Sequence, residues 1–227
     1  VISSSLNKFT YPDSVLNRNT ESTTNTIGNS HRLEANLEWK PTQNDYIKIT
    51  PQLSYGRTTT DGYSYNENLL NDVLYNTEAN TSNSIAKNPN LGFSGLYNRK
   101  LNDKGRNIFF NMNINSSGTK QDQDRIIETL VGDPNNANMT MDSLYRKTLL
   151  ELDNKRWNGG ASLSYIEPVS QFGKIEVSYD YNVNTYDNNR TQEAFNEDGS
   201  SLEDDIYTFE RVYDYSFSTH RFGANYN

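Results

Sequence analysis

The stretch Ile175-Glu176-Val177-Ser178-Tyr179-Asp180-Tyr181-Asn182-Val183-Asn184 alternates an apolar or aromatic residue with a polar one at every step. Successive side chains of a β-strand point to opposite faces. The stretch therefore reads as a strand with Ile175, Val177, Tyr179, Tyr181 and Val183 on one face and Glu176, Ser178, Asp180, Asn182 and Asn184 on the other. The same period recurs along the chain. Leu33, Ala35, Leu37 and Trp39 interleave with Glu34, Asn36 and Glu38, and Ile47, Ile49, Pro51, Leu53 and Tyr55 with Lys48, Thr50, Gln52 and Ser54. Ile108, Phe110, Met112 and Ile114 interleave with Phe109, Asn111 and Asn113, and Trp157, Ala161, Leu163 and Tyr165 with Asn158, Ser162 and Ser164. A weaker strand runs from Leu91 through Phe93 to Tyr97. A last one covers Tyr207 to Tyr226, and its phase shift near Ser218 suggests a bulge. About seven strands result, and residues 1–10 read as the end of another.

The connections fall into two classes that alternate. Short ones begin at Pro41, Asn102 and Glu167 and carry the Pro, Gly, Asn and Asp of tight turns. Long ones, roughly 61–89, 120–145 and 187–205, are rich in Asn, Asp, Ser and Thr. Within them, Asn66 to Val73 and Thr140 to Leu152 are Leu-rich and read either as short loop helices or as the upper parts of strands. Tight turns on one side and long loops on the other is the pattern of an outer-membrane barrel, because connections in soluble sandwiches are short.

Composition narrows the class. A hydrophobic fraction of 33% and a mean hydropathy of −0.89 suggest disorder or an open, solvated architecture, but 16 Tyr, 9 Phe and 2 Trp argue against disorder. The absence of Cys excludes a disulfide scaffold and thiolate metal sites. A net charge of −8 disfavours nucleic acid as a partner, since phosphate binding needs clustered Lys and Arg. No apolar run approaches ~18 residues, the length a membrane-spanning helix needs. The chain opens on Val1 without a basic-plus-apolar leader, so a mature or partial segment is expected.

Alternation alone fits a soluble sandwich as well as a barrel in lipid. Three features favour lipid. The polar phase (Glu34, Asn36, Glu38, Lys48, Gln52, Asn111, Asn113, Glu176, Asp180, Asn182) is continuous across strands and suits a watery lumen. Aromatic residues flank the short turns, Trp39 and Tyr46 at the first, Tyr97 before the second, Tyr165 and Phe172 at the third, as an interfacial girdle would. Trp157 and Tyr165 share a face about 20 Å apart along the membrane normal at ~3.3 Å per residue and ~40° tilt. The strands also run longer than the ~5–6 residues usual in soluble sheets. The fold class expected is thus all-β, an antiparallel transmembrane β-barrel with short periplasmic turns and long extracellular loops. The lipid-facing set is Leu33, Ala35, Leu37, Trp39, Ile47, Ile49, Leu53, Tyr55, Ile108, Phe110, Met112, Trp157, Leu163, Tyr165, Ile175, Val177, Tyr179 and Tyr181.

The stretch Asn29-Ser30-His31-Arg32-Leu33-Glu34-Ala35-Asn36-Leu37-Glu38-Trp39-Lys40-Pro41, followed by Asp45-Tyr46-Ile47-Lys48-Ile49-Thr50-Pro51-Gln52-Leu53-Ser54-Tyr55, resembles strand-turn-strand segments of Bacteroidetes-type outer-membrane β-barrel proteins related to TonB-dependent receptors. The likeness is carried by residues 29–65, and by pattern alone elsewhere. It implies a barrel of about 22 strands, nutrient import across the outer membrane of a Gram-negative cell, a plug, and TonB and a surface lipoprotein as partners. No plug-like segment or TonB box is identified, and seven strands cannot close such a barrel, so residues 1–227 are expected to be one part of a single barrel domain. His220-Arg221-Phe222-Gly223-Ala224-Asn225 echoes His31-Arg32 and Ala35-Asn36 and reads as strand monotony.

No catalytic group, cofactor or metal is expected. His31 and His220 stand apart, without Cys or a second nearby His, and read as lumen- or interface-facing rather than as zinc ligands. No G-x-S-x-G, G-x-G-x-x-G or Walker A pattern occurs. Asp122-Gln123-Asp124, Asn196-Glu197-Asp198-Gly199 and Glu203-Asp204-Asp205 offer oxygen ligands for Ca²⁺ but lack EF-hand spacing and read as solvated loop charge. Tyr63, Tyr65 and Tyr75 in the first long loop could contact a peptide or sugar or pack the loops together. Three functional readings follow: a receptor-like import barrel, a structural or accessory barrel of an envelope assembly for secretion or membrane-protein insertion, and a soluble extracellular adhesin or carbohydrate-binding module.

Overall fold

At Asn71 and Asp72 the backbone takes positive φ at two successive residues, 51° and 65°. That is the conformation of a two-residue type I′ turn, whose twist matches the strands it joins, and Asn and Asp tolerate it. The turn joins Asp45–Leu70 to Val73–Lys100, so the segment expected as a long loop over 61–89 is strand almost throughout. This corrects the loop pattern. It also removes the helical reading of Asn66 to Val73.

The computed structural model describes residues 1–132, 142–170, 173–203 and 206–226. Nine strands follow in order: β1 (Ile2–Thr10), β2 (Val15–Glu34), β3 (Leu37–Trp39), β4 (Asp45–Leu70), β5 (Val73–Lys100), β6 (Asn107–Val131), β7 (Asp142–Pro168), β8 (Lys174–Phe195) and β9 (Phe209–Tyr226). They form one antiparallel sheet, β1-β2-β4-β5-β6-β7-β8-β9, with β3 also on β4. β3 continues β2 in unbroken register, since Leu33 opposes Leu53 and Leu37 opposes Ile49. The interruption has a chemical cause: the Ala35 N–H donates to the Pro51 carbonyl at 3.1 Å, but Pro51 has no N–H to return the bond.

The count is two above the seven strands expected: residues 1–10, read as the end of another strand, form β1, and the interruption at Ala35 divides the strand expected over Leu33 to Trp39 into β2, which reaches back to Val15, and β3. Over 120–145 the described residues are mostly strand, β6 reaching Val131 and β7 starting at Asp142, whereas 187–205 divides, strand as far as Phe195 and connection from Asn196 to Glu203. Thr140 and Met141 lie outside the described residues; Asp142 to Leu152 is strand, not helix. The expected short turns after Trp39, Lys100 and Pro168 are present. No register shift occurs in β9 at Ser218, which pairs regularly with Val183, so the bulge expected there is absent.

The sheet is open: β1 and β9 each have one unpaired edge, and a closed barrel is not formed within this chain. It has no core. Ile127 and Ala194 are the buried hydrophobic residues among those described. The accessible surface is 15643 Å², against roughly 10,500 Å² for a globular monomer of this mass by the ~6.3M^0.73 scaling.

Candidate membrane-facing surface

Register decides which side chains share a face. One row across the sheet is Leu37, Ile49, Gly95, Met112, Ala161, Tyr181 and His220. The next row towards the short turns is Trp39, Ile47, Tyr97, Phe110, Leu163, Tyr179 and Phe222. Extending these rows places the whole apolar set on one face, here face A: Leu33, Ala35, Leu37 and Trp39; Ile47, Ile49, Leu53 and Tyr55; Ile108, Phe110 and Met112; Trp157, Leu163 and Tyr165; and Ile175, Val177, Tyr179 and Tyr181. Leu91, Phe93, Ile114 and Phe222 join them. Nothing among the described residues covers this band. Leu33 is 68% exposed, Trp39 64% and Phe222 79%.

The band does not run along the rows. On β4 it extends from Ile47 up to Tyr55, and on β9 from Tyr226 up to Phe222, where "up" is away from the short turns. Phe222 lies level in register with Ile47. The upper edge therefore falls by 55 − 47 = 8 residues between β4 and β9, and the lower edge by 226 − 222 = 4. The mean drop is about 20 Å at ~3.3 Å per residue, over five strand spacings of ~4.8 Å, or ~24 Å. The slope is about 40°, and strands of outer-membrane barrels tilt by ~35–45°.

The two tryptophans lie at opposite limits of the band, Trp39 ending it below on β3 and Trp157 ending it above on β7. Below the band the side chains pair. Tyr97 Oη donates to Asp45 Oδ1 at 2.8 Å, and Arg99 Nε lies 3.8 Å from the same oxygen. Arg106 donates through Nε and Nη2 to both oxygens of Glu167, each at 2.6 Å, and Tyr165 Oη also donates to Glu167. Each set joins a ring within the band to a carboxylate–guanidinium pair at its border, the placement an amphipathic ring favours. Tyr46 does not belong to this girdle: its register puts it on the opposite face, under Lys40, whose Nζ is 5.9 Å from the ring centroid. Phe172 lies outside the described residues.

Face B is mostly polar at the same height, with Leu96 and Phe109 as apolar exceptions. Arg32 bonds Glu34 at 2.8 Å, Gln52 Nε2 donates to Glu34 at 3.4 Å, Lys48 lies 3.6 Å from Glu38, and Ser164 Oγ donates to Glu176 at 2.5 Å. Asn111 and Asn115 donate across the β6–β7 ladder to Ser162 and Asn158 at 3.4 Å. Such bonds fix a hydrated surface without a hydrophobic cover. Sequence reasoning missed one feature here. Above the band, Tyr186, Tyr213, Tyr215 and Phe217 project on face B, with centroid separations of 5.6 Å for Tyr186–Tyr215 and 6.1 Å for Tyr215–Phe217. The apolar phase of β9 changes face at this level, and that is what imitated a bulge.

Above the band the strands are held by polar ladders. Arg18 Nε donates to Asn68 at 2.8 Å, Asn68 to Asn76 at 2.5 Å, and Arg125 Nε to Asn80 at 3.0 Å. Tyr63 and Tyr65 on β4 and Tyr75 on β5 are strand residues of face A, not loop residues. Asp122 and Asp124 sit on β6. In the β8–β9 turn, the hydroxyl and N–H of Ser200 both donate to Asp198, which holds that carboxyl below its ordinary value. Asp204 and Asp205 lie outside the described residues. His31 and His220 are on face A, each one step above the local top of the band, and Tyr179 Oη lies 2.8 Å from His220 Nδ1. No group of three or more His, Asp or Glu among the described residues is placed to hold a metal.

Compared with known proteins, the chain matches no family model and no curated protein.

Proposed function

We propose that this sheet is part of the wall of an outer-membrane β-barrel, with face A against lipid and face B towards a water-filled interior that conducts a solute inward. The observation that carries this reading is the slant of the apolar band. A level slab of lipid cutting strands tilted by ~40° requires an apolar zone whose edges step down in register from strand to strand. A second protein layer would impose no such slope. The large exposed surface and the absence of a core favour a lipid cover over water, which disfavours a soluble adhesin.

Import in the manner of a TonB-dependent receptor is the finer part of the proposal. It rests on the resemblance of residues 29–65 and on the hydrated, ion-paired character of face B. Two measurements test the layers separately. Sedimentation with the outer membrane, and a gel band that shifts only after boiling, are expected of a closed barrel. A soluble, unshifted protein would overturn it. Loss of solute uptake on removing TonB is expected of import, whereas co-purification with stoichiometric envelope subunits and no TonB dependence would assign a structural role.

A further inference from the structure

We infer that the upper border of the apolar band binds the phosphate groups of outer-leaflet lipid headgroups. The inference rests on the lipid reading of face A. On each strand from β2 to β9 that carries the band, the first face-A residue above it is never acidic. On β4 and β7 it is Arg57 and Lys155, on β5 it is Pro89 with Lys87 next above it, and on the two outermost of these strands it is His31 and His220. The chain carries a net charge of −8, so a border without a carboxylate goes against its composition.

Pairing sharpens the point. Arg57 stands directly opposite Lys87, and Lys87 directly opposite Lys120 on β6. Like charges directly opposite on one face of a sheet are destabilising. Among the described residues, none of these three side chains has an ion pair or hydrogen bond to relieve it. The nearest carboxylate in the row, Asp153 opposite Lys120, is engaged by Lys155 Nζ at 3.3 Å. Asp122 and Glu151 face each other one row higher. The lower border differs, since its guanidinium groups, Arg99 and Arg106, already have carboxylate partners. Arg57, Lys87 and Lys120 thus await an external anion, whereas Lys155 already has Asp153. A ligand that also touches the apolar band beneath them must carry acyl chains below a phosphate, which selects a lipid headgroup over free phosphate.

The test uses the complete barrel protein that contains this sheet, purified in a non-ionic detergent and titrated with lipid A bearing two phosphates or with the same lipid stripped of both. Bound lipid is read by native mass spectrometry. Preference for the phosphorylated lipid is expected, falling with added salt. Each cation beside an anionic headgroup layer is worth about fivefold in affinity, so the variant R57Q/K87Q/K120Q should lose about 100-fold for the phosphorylated lipid and little for the stripped one. Heat-modifiability reports whether that variant folds; if it does not, K87Q alone with a salt titration of the unaltered protein makes the same comparison. Equal binding of both lipids, or an unchanged variant, overturns the inference. Competition by millimolar inorganic phosphate overturns the lipid assignment and leaves a plain anion site. An unaltered protein that is not heat-modifiable refutes the barrel reading itself, whereas a heat-modifiable one without phosphate preference refutes only the headgroup site.

Discussion

Replacing Ala161 by Arg probes the band at its centre. On β7 the band runs from Tyr165 to Trp157, and Ala161 is 165 − 161 = 4 residues from one limit and 161 − 157 = 4 from the other. At ~3.3 Å per residue and ~40° tilt it is about 10 Å from each edge. An Arg facing lipid at the midplane costs ~2–4 kcal/mol, falling to ~0–1 near the interfaces. The folded population relative to unfolded should therefore drop by about 30- to 1000-fold. Leu163→Arg, about 5 Å nearer the lower edge by the same geometry, should cost less. Tyr165→Arg and Trp157→Arg should cost least, because a long cation there reaches the headgroups. Ser162→Arg, next in sequence but on face B, should cost under ~1 kcal/mol. The assay is denaturant unfolding in lipid vesicles, with heat-modifiability as a check on the folded state. The reasoning fails if Ser162→Arg is as costly as Ala161→Arg, or if cost along β7 shows no maximum at Ala161.

The two tryptophans offer a depth measurement without labelling. In single-tryptophan variants (Trp39→Phe and Trp157→Phe), bromine near the lipid headgroups should quench the remaining fluorescence more than bromine at the acyl-chain ends, and equal quenching by both would remove Trp39 and Trp157 from the borders. At the β4–β5 turn, Asn71→Val should lower stability by ~2–3 kcal/mol, from the left-handed backbone a β-branched residue resists and the lost bond from the Val15 N–H to Asn71 Oδ1 at 2.8 Å. Asp72→Gly should be neutral or stabilising, and a fall in denaturation midpoint would contradict the turn assignment. Asp198 has a depressed pKa when folded, so its contribution to the β8–β9 turn is present above the unfolded value of ~3.9 and lost as pH falls through the lower folded value. The Ser200 amide shift should titrate with a midpoint below ~3.9 and stop titrating in Asp198→Asn; a midpoint above that would exclude the two bonds from Ser200.

Within the band the strands were legible because one face is apolar and the other is not. Ile175 to Val183 needs no partner strand to be recognised, and neither does Ile47 to Tyr55. Above the band the signal disappears for a physical reason. Thr58, Thr59 and Thr60 lie on alternating faces, yet all are polar, and the same holds for Asn80 to Ser84. With neither face apolar, a period of two leaves no trace in hydropathy, and segments rich in Asn and Ser resemble loops. What makes them strands is long-range: a two-residue turn at Asn71-Asp72 that starts the pairing, and cross-strand bonds such as Arg18 to Asn68. Tyr46 falls outside the girdle for a simpler reason, since its parity relative to Ile47 places it on face B. The slope of the band was not readable at all, because it depends on how strands align with one another. The pairing of Arg57 with Lys87 was hidden by the same dependence.

The continuation of β4 and β5 far above Tyr55 and Leu91 governs how such a surface can change over generations. A flexible loop accepts insertions of any length. This hairpin does not, because removing one residue from β4 above Tyr55 would turn every later side chain to the opposite face. Its height can grow or shrink only by two residues in each of its two strands at once. Length variation among relatives of this chain should therefore come in steps of four across the hairpin, with odd changes confined to the connections.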